Sequence, residues 1–212
     1  MGARLPRSSS RSSTRFRLPR SLAVYTTAGP WWRIHRIDYS AVYFGHDPET
    51  RYGDPRGEYR VLYAAKTVTG AFLETLGHQV GKHPKPGQRP HFLHPRQLAD
   101  RGLALITSWR TLRLVDVTDR QWHHLGVDGA FMTGPVAGPQ RLAQAIWNRK
   151  EPFEGIVYSS RLNAGERCVA LFDRAADTVL DGDAVELGPL DGPRCAAIIA
   201  ELMRRYRYRL SS

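Results

Sequence analysis

Two hydrophobic rhythms alternate along the chain. WWRIHRID, from Trp31, is dense in aromatic and branched residues and predicts a strand. EYRVLYAAK (58–66) predicts another. TVTGAFLET (67–75) follows it directly, with Val68, Phe72 and Leu76 at helical spacing and Thr67 placed to cap the start. LALITSWRTLRLVDV (103–117) reads as one strand or a hairpin, and a short helix is expected from Thr118. GPQRLAQAIWNRK (138–150) is an amphipathic helix with Pro139 near its start. GIVYSSR (155–161) and RCVALFDR (167–174) read as two strands, and a last helix is expected from about Pro193 to Arg205. Between these lie a Gly/Pro/Asp-rich loop at 45–58 and an irregular His/Lys/Pro-rich segment at 77–96. This order predicts a mixed α+β fold.

At 212 residues the chain is expected to hold a single mixed domain, long enough for a core without staples. A net charge of +11 first suggests an anionic partner such as nucleic acid. Its distribution weakens that inference: residues 1–20 carry +6, residues 21–200 carry +2, and residues 201–212 carry +3. The body is nearly neutral. The Ser/Arg-rich stretch 1–20 is expected to be a disordered tail, with a transit peptide as the lesser reading, and 21–212 to be the folded unit. The basic tails predict weak, non-specific anion binding.

No apolar run reaches the roughly 20 residues of a membrane span, so no membrane role is expected. Cys168 and Cys195 lie far apart in apolar stretches and read as buried free thiols in a reducing, cytoplasmic setting, with one disulfide as the lesser reading. His91 and His94, and the pair His123 and His124, lack the further ligands of a zinc site, so no metal is expected. Neither a GxGxxG nor a GxxxxGK[ST] sequence is present.

Four residues stand out as candidate chemistry. Arg51 lies in the Gly/Pro/Asp loop, Tyr63 inside VLYAA, Glu74 in an otherwise apolar helical stretch, and Ser160 at the end of GIVYSS. Taken singly, each has an ordinary reading: a solvated loop charge, a core tyrosine, an exposed helix face, a turn cap.

Their order along the chain carries more than any one of them. WWRIHR, TRYGDPRGEYRVLYAAKTVTGAFLET, AQAIWNRKEPFEGIVYSSR and CVALFD together resemble the RES domain, a family named for an Arg, a Glu and a Ser in such segments. The resemblance spans about 31–173. Two positions depart from the family pattern. Thr50 stands where a Gly precedes the loop arginine, and Ser159 stands where a Pro precedes the site serine. Two adjacent serines therefore compete, and Ser160 is assigned because it directly precedes Arg161.

The resemblance implies a fold similar to ADP-ribosyltransferases and the toxin role of a bacterial toxin–antitoxin pair. It implies NAD as substrate, consumed by phosphorolysis, hydrolysis or ADP-ribosyl transfer to a protein, and an antitoxin of the Xre helix-turn-helix type. NAD enters as substrate, and no metal or prosthetic cofactor is required. In that chemistry Arg51, with Arg33 as a second contact, binds the pyrophosphate. Tyr63 offers an aromatic face to nicotinamide, with Ser160 and Arg161 as further NAD contacts. Glu74 faces the ribose and stabilises its developing positive charge. Two other readings are kept: a nucleic-acid-binding module built on the basic ends, and a RES-like scaffold without catalysis.

Overall fold

The computed structural model describes residues 16–77, 91–163, 165–180 and 184–211. Its strands are β1 Val24–Thr27, β2 Trp31–Arg36, β3 Val61–Ala65, β4 His91–Leu93, β5 Arg101–Ile106, β6 Leu112–Asp116, β7 Gly155–Ser159, β8 Arg167–Phe172, β9 Val185–Pro189 and β10 Tyr208–Leu210. The helices are α1 Val68–Leu76, α2 Arg96–Ala99, α3 Trp122–Leu125, α4 Gly129–Thr133, α5 Ala137–Trp147, α6 Ala176–Leu180 and α7 Ala196–Arg205. The result is a single mixed α+β domain.

Eight strands form one sheet in the order β1-β6-β7-β8-β3-β2-β5-β9, and β10 pairs with β4 beside it. Within the large sheet only β6 and β7 run parallel. The central strands β7, β8 and β3 are apolar at nearly every position because both of their faces are covered. Phe72, Leu76, Leu142, Ile146, Ile199 and Leu202 bring α1, α5 and α7 onto one face, against Ile34, Ile156, Ala170 and Phe172. The other face buries Leu62, Ala64, Val157, Val169 and Leu171 under Ala41, Val42, Phe44 and Val179.

Two expectations need correction. Residues 103–117 are neither one strand nor a hairpin. β5 pairs with β2 and β9, whereas β6 pairs with β1 and β7, so the chain crosses to another part of the sheet between them. The segment 77–96 is not irregular throughout: His91–Leu93 is a strand and Arg96–Ala99 a helical turn, while 78–90 lie outside the described residues. Residues 1–15 of the expected tail lie outside the described residues, and residues of 16–20 contact the body. Phe16 packs on Phe131 with ring centroids 5.5 Å apart. Arg149 donates from Nη1 to the Pro19 carbonyl at 3.3 Å and from Nη2 to that of Arg20 at 2.7 Å. Apolar anchorage outweighs the basic composition there.

Candidate active site

β2 and β3 are neighbours in the sheet, yet they pair only at Trp32 and Ala65. Beyond that point they diverge, and a cleft of about 600 Å³ opens along them. Roughly 300–1,000 Å³ is the size range of small-molecule sites. Trp32, Arg33 and Ile34 of β2 line it, with Val61, Tyr63, Ala64 and Ala65 of β3. The loop from Gly45 to Arg51 adds Asp47, Glu49, Thr50 and Arg51, and α1 adds Ala71, Glu74 and Thr75. Tyr158 and Arg161 complete the far side.

Helical spacing places Glu74 there. Ala71, Glu74 and Thr75 lie on one stripe of α1, while Phe72, Leu73 and Leu76 turn into the core. The start of the helix is fixed by capping. Thr67 Oγ1 accepts the Gly70 N–H at 3.1 Å. Glu166, itself buried, binds Thr67 through both carboxylate oxygens: Oε1 accepts the Thr67 N–H at 2.9 Å and Oε2 its hydroxyl at 2.8 Å. The Glu166 carbonyl accepts the Ser160 N–H at 2.9 Å. One residue thus ties together the helix that carries Glu74 and the turn that carries Ser160.

The carboxylate of Glu74 is held by two hydroxyls. Ser160 Oγ donates to Oε1 at 2.7 Å, and Tyr158 OH donates to Oε2 at 3.3 Å. Ser160 Oγ also accepts the N–H groups of Leu162 and Asn163 at 3.1 and 3.2 Å. Its donor and acceptor capacity is therefore committed, so its task here is to orient Glu74. Ser159 faces the other way and donates to Asp119 Oδ1 at 3.0 Å. The Tyr158 phenol is pushed well above its ordinary pKa by burial first and by Glu74 second, so it stays a donor at neutral pH.

Arg51 sits on a loop pinned at several points. Gln140 of α5 donates from Nε2 to the carbonyls of Pro48 (2.6 Å) and Thr50 (2.9 Å). Tyr63 OH donates to Thr50 Oγ1 at 3.1 Å and accepts the Tyr52 N–H at 3.0 Å. Thr50 Oγ1 in turn donates to the Asp47 carbonyl at 2.8 Å, so the threonine is a working part of the loop. Gly53 is required beside it: a Cβ there would lie 2.2 Å from the Asp47 carbonyl oxygen. Burial pushes the Tyr63 phenol up to about 12, so the pin keeps its proton, while the ring lines the cleft.

Both inner arginines have spare donors. Nη1 of Arg51 and Nη1 of Arg33 are buried and have no hydrogen-bond partner. Arg33 Nη2 donates to the Tyr43 carbonyl at 2.9 Å. Burial lowers Arg33 to about 10, which leaves it charged at neutral pH. Burial and the charge of Arg161 lower Arg51, and Tyr52, Tyr158 and Glu74 act in the opposite sense. Buried guanidinium donors without partners are costly, and a guanidinium suits an anion chemically.

All six residues picked out in the sequence gather around this cleft: Arg33, Arg51, Tyr63, Glu74 and Arg161 line it, and Ser160 stands behind Glu74. Tyr158, Glu166 and Gln140 also hold the site and are not among the sequence candidates. Tyr158 had a signal in the alternation of GIVYSS, which puts it on the same strand face as Ser160. Glu166 and Gln140 act across 99 and up to 92 residues of chain, with no local pattern to reveal them. Among the described residues, no group of three His, Cys, Asp or Glu side chains is arranged to hold a metal ion.

A split mixed sheet, with a carboxylate and two guanidinium groups that each keep one unpartnered donor around the split, defines a carboxylate-bearing cleft domain. The RES domain family matches residues 30–191, and the chain belongs to that family. Among solved structures, it is similar to a chain of the M. tuberculosis MbcT–MbcA toxin–antitoxin complex. The TM-score is 0.56 at 14% identity, covering 84% of this chain and 92% of that one. At that identity the likeness is one of fold. No curated protein sequence matches this chain.

Proposed function

We propose that the protein is the toxin of a toxin–antitoxin pair and cleaves the nicotinamide–ribose bond of NAD. The observation that carries this reading is the pairing of Glu74, held by Ser160 and Tyr158, with the unpartnered donors of Arg33 and Arg51 around one cleft. Nicotinamide leaves as a neutral base from a cationic precursor, so no general acid is needed. The protein must hold the pyrophosphate and stabilise an oxocarbenium-like ribose. Arg33 and Arg51 supply charge-assisted donors to the phosphates. A fixed carboxylate in a partly dry cleft stabilises positive charge on the ribose without reorganising. It also accepts from the 2′-hydroxyl or orients the acceptor.

The acceptor class separates three outcomes. Phosphate gives ADP-ribose-1″-phosphate, water gives ADP-ribose, and a protein side chain gives an ADP-ribosylated protein. Family membership and the fold shared with a chain of a toxin–antitoxin complex support an antitoxin partner. An antitoxin of the Xre helix-turn-helix type is the partner that the family resemblance implies. An antitoxin segment seated in the cleft would restrain the enzyme in the cell.

The test is mass spectrometry of NAD incubated with the purified protein, with and without phosphate. Nicotinamide release is expected, and Glu74→Gln should lower it by at least ~10²-fold while leaving the fold intact. Absence of release by the folded wild-type protein overturns the NAD reading. Near-wild-type release by Glu74→Gln overturns the role of Glu74.

A further inference from the structure

The segment that follows β2 presents two tyrosines which the core does not use. Ala41, Val42 and Phe44 are buried and anchor it to the sheet. Tyr39 and Tyr43 point outward at 49% and 41% exposure, yet their rings are stacked, with centroids 4.6 Å apart and planes 18° from parallel. Tyr43 also lines the cleft. Its carbonyl accepts the hydrogen bond from Arg33 Nη2, so the stack is tied to the arginine whose Nη1 is buried without a partner. An aromatic platform on an anchored segment, beside a guanidinium with a free donor, suits a planar base joined to a phosphate.

We propose that Tyr43, backed by Tyr39, is the seat of the purine base of a nucleotide substrate whose phosphate is bound by Arg33. The inference rests on the nucleotide reading above and adds the end of the substrate remote from the reacting bond. The Glu74 end of the cleft handles the ribose that reacts, and the Tyr43 end holds the base that does not. Such remote contacts secure affinity and orientation for the chemical step. Both tyrosines are exposed, so substitution removes a ligand surface without emptying the core.

Calorimetric titration of AMP and of ribose 5-phosphate tests it, since the two probes share a phosphate and differ by the base. The wild-type protein should bind AMP more tightly by roughly 5- to 100-fold, the span of base–aromatic stacking. Tyr43→Ala should erase that preference, and Tyr43→Phe should keep it. Equal binding of the two probes by the wild-type protein, or a preference that survives Tyr43→Ala, overturns the assignment. Nicotinamide release from NAD is followed in parallel. Release without a Tyr43-dependent preference sinks this inference alone, and a Tyr43-dependent preference without release sinks the NAD chemistry alone.

Discussion

A double-mutant cycle between Gly70 and Glu166 probes the joint that sets α1. A Cβ at Gly70 would lie 2.6 Å from both Cγ and Oε1 of Glu166. The Glu166 side chain cannot swing aside without losing its two hydrogen bonds to Thr67. Alanine in a helix is otherwise favoured over glycine by about 0.5–1 kcal/mol. Overpacking a filled site costs about 1–3 kcal/mol. Gly70→Ala should therefore destabilise the wild-type protein, by roughly 0.5–2 kcal/mol net. Glu166→Ala alone removes two hydrogen bonds to a charged group, each contributing about 1.5–3 kcal/mol; water reaching the exposed Thr67 offsets part, so a loss of roughly 2–3 kcal/mol is expected. With that side chain gone the obstacle is gone too. Gly70→Ala should then stabilise the protein by about 0.5–1 kcal/mol. The sign reversal amounts to a coupling of roughly 1–3 kcal/mol, read from urea unfolding of the four proteins. Stabilisation of the wild-type protein by Gly70→Ala, or additivity within about 0.5 kcal/mol, would refute the reasoning.

Arg51→Ala should weaken NAD binding by at least about tenfold, the loss of one charge-assisted phosphate contact. Calorimetry with unchanged affinity would move the pyrophosphate role to another residue. Ser160→Ala should lower nicotinamide release by roughly 10- to 100-fold through loss of its hydrogen bond to the Glu74 carboxylate. Ser159→Ala, whose hydroxyl serves Asp119, should leave release within about twofold; the opposite ranking would give the role to Ser159.

The elements legible in the sequence are those whose burial is simple. β3, β7 and β8 are covered on both faces, and their continuous apolar runs announce it. α1 and α5 carry stripes at helical spacing, and Thr67 caps where the pattern begins. The run 103–117 misleads because TSWRT, where the chain leaves β5 for β6, contains neither Gly nor Pro. Nothing local says that the two strands have different neighbours. β4 and β10 are three residues long and pair with each other, a fact about distant residues.

The same contrast runs through the site. The choice between Ser159 and Ser160 is open if only adjacency to Arg161 is weighed. Treating β7 as a strand of period two separates them, since Tyr158 and Ser160 then share a face and Ser159 takes the other. Both residues on the Tyr158 face reach Glu74, and Ser159 reaches Asp119 instead. The alternation of GIVYSS therefore pairs Tyr158 with Ser160. No such rule reaches Glu166, whose partner Thr67 is 99 residues away, or Tyr39 and Tyr43, whose meaning depends on a cleft between β2 and β3. Arg51, Tyr63 and Glu74, which line the cleft, announce themselves by type and spacing. Glu166, Gln140 and the Tyr39–Tyr43 stack become visible only when the sheet brings them together.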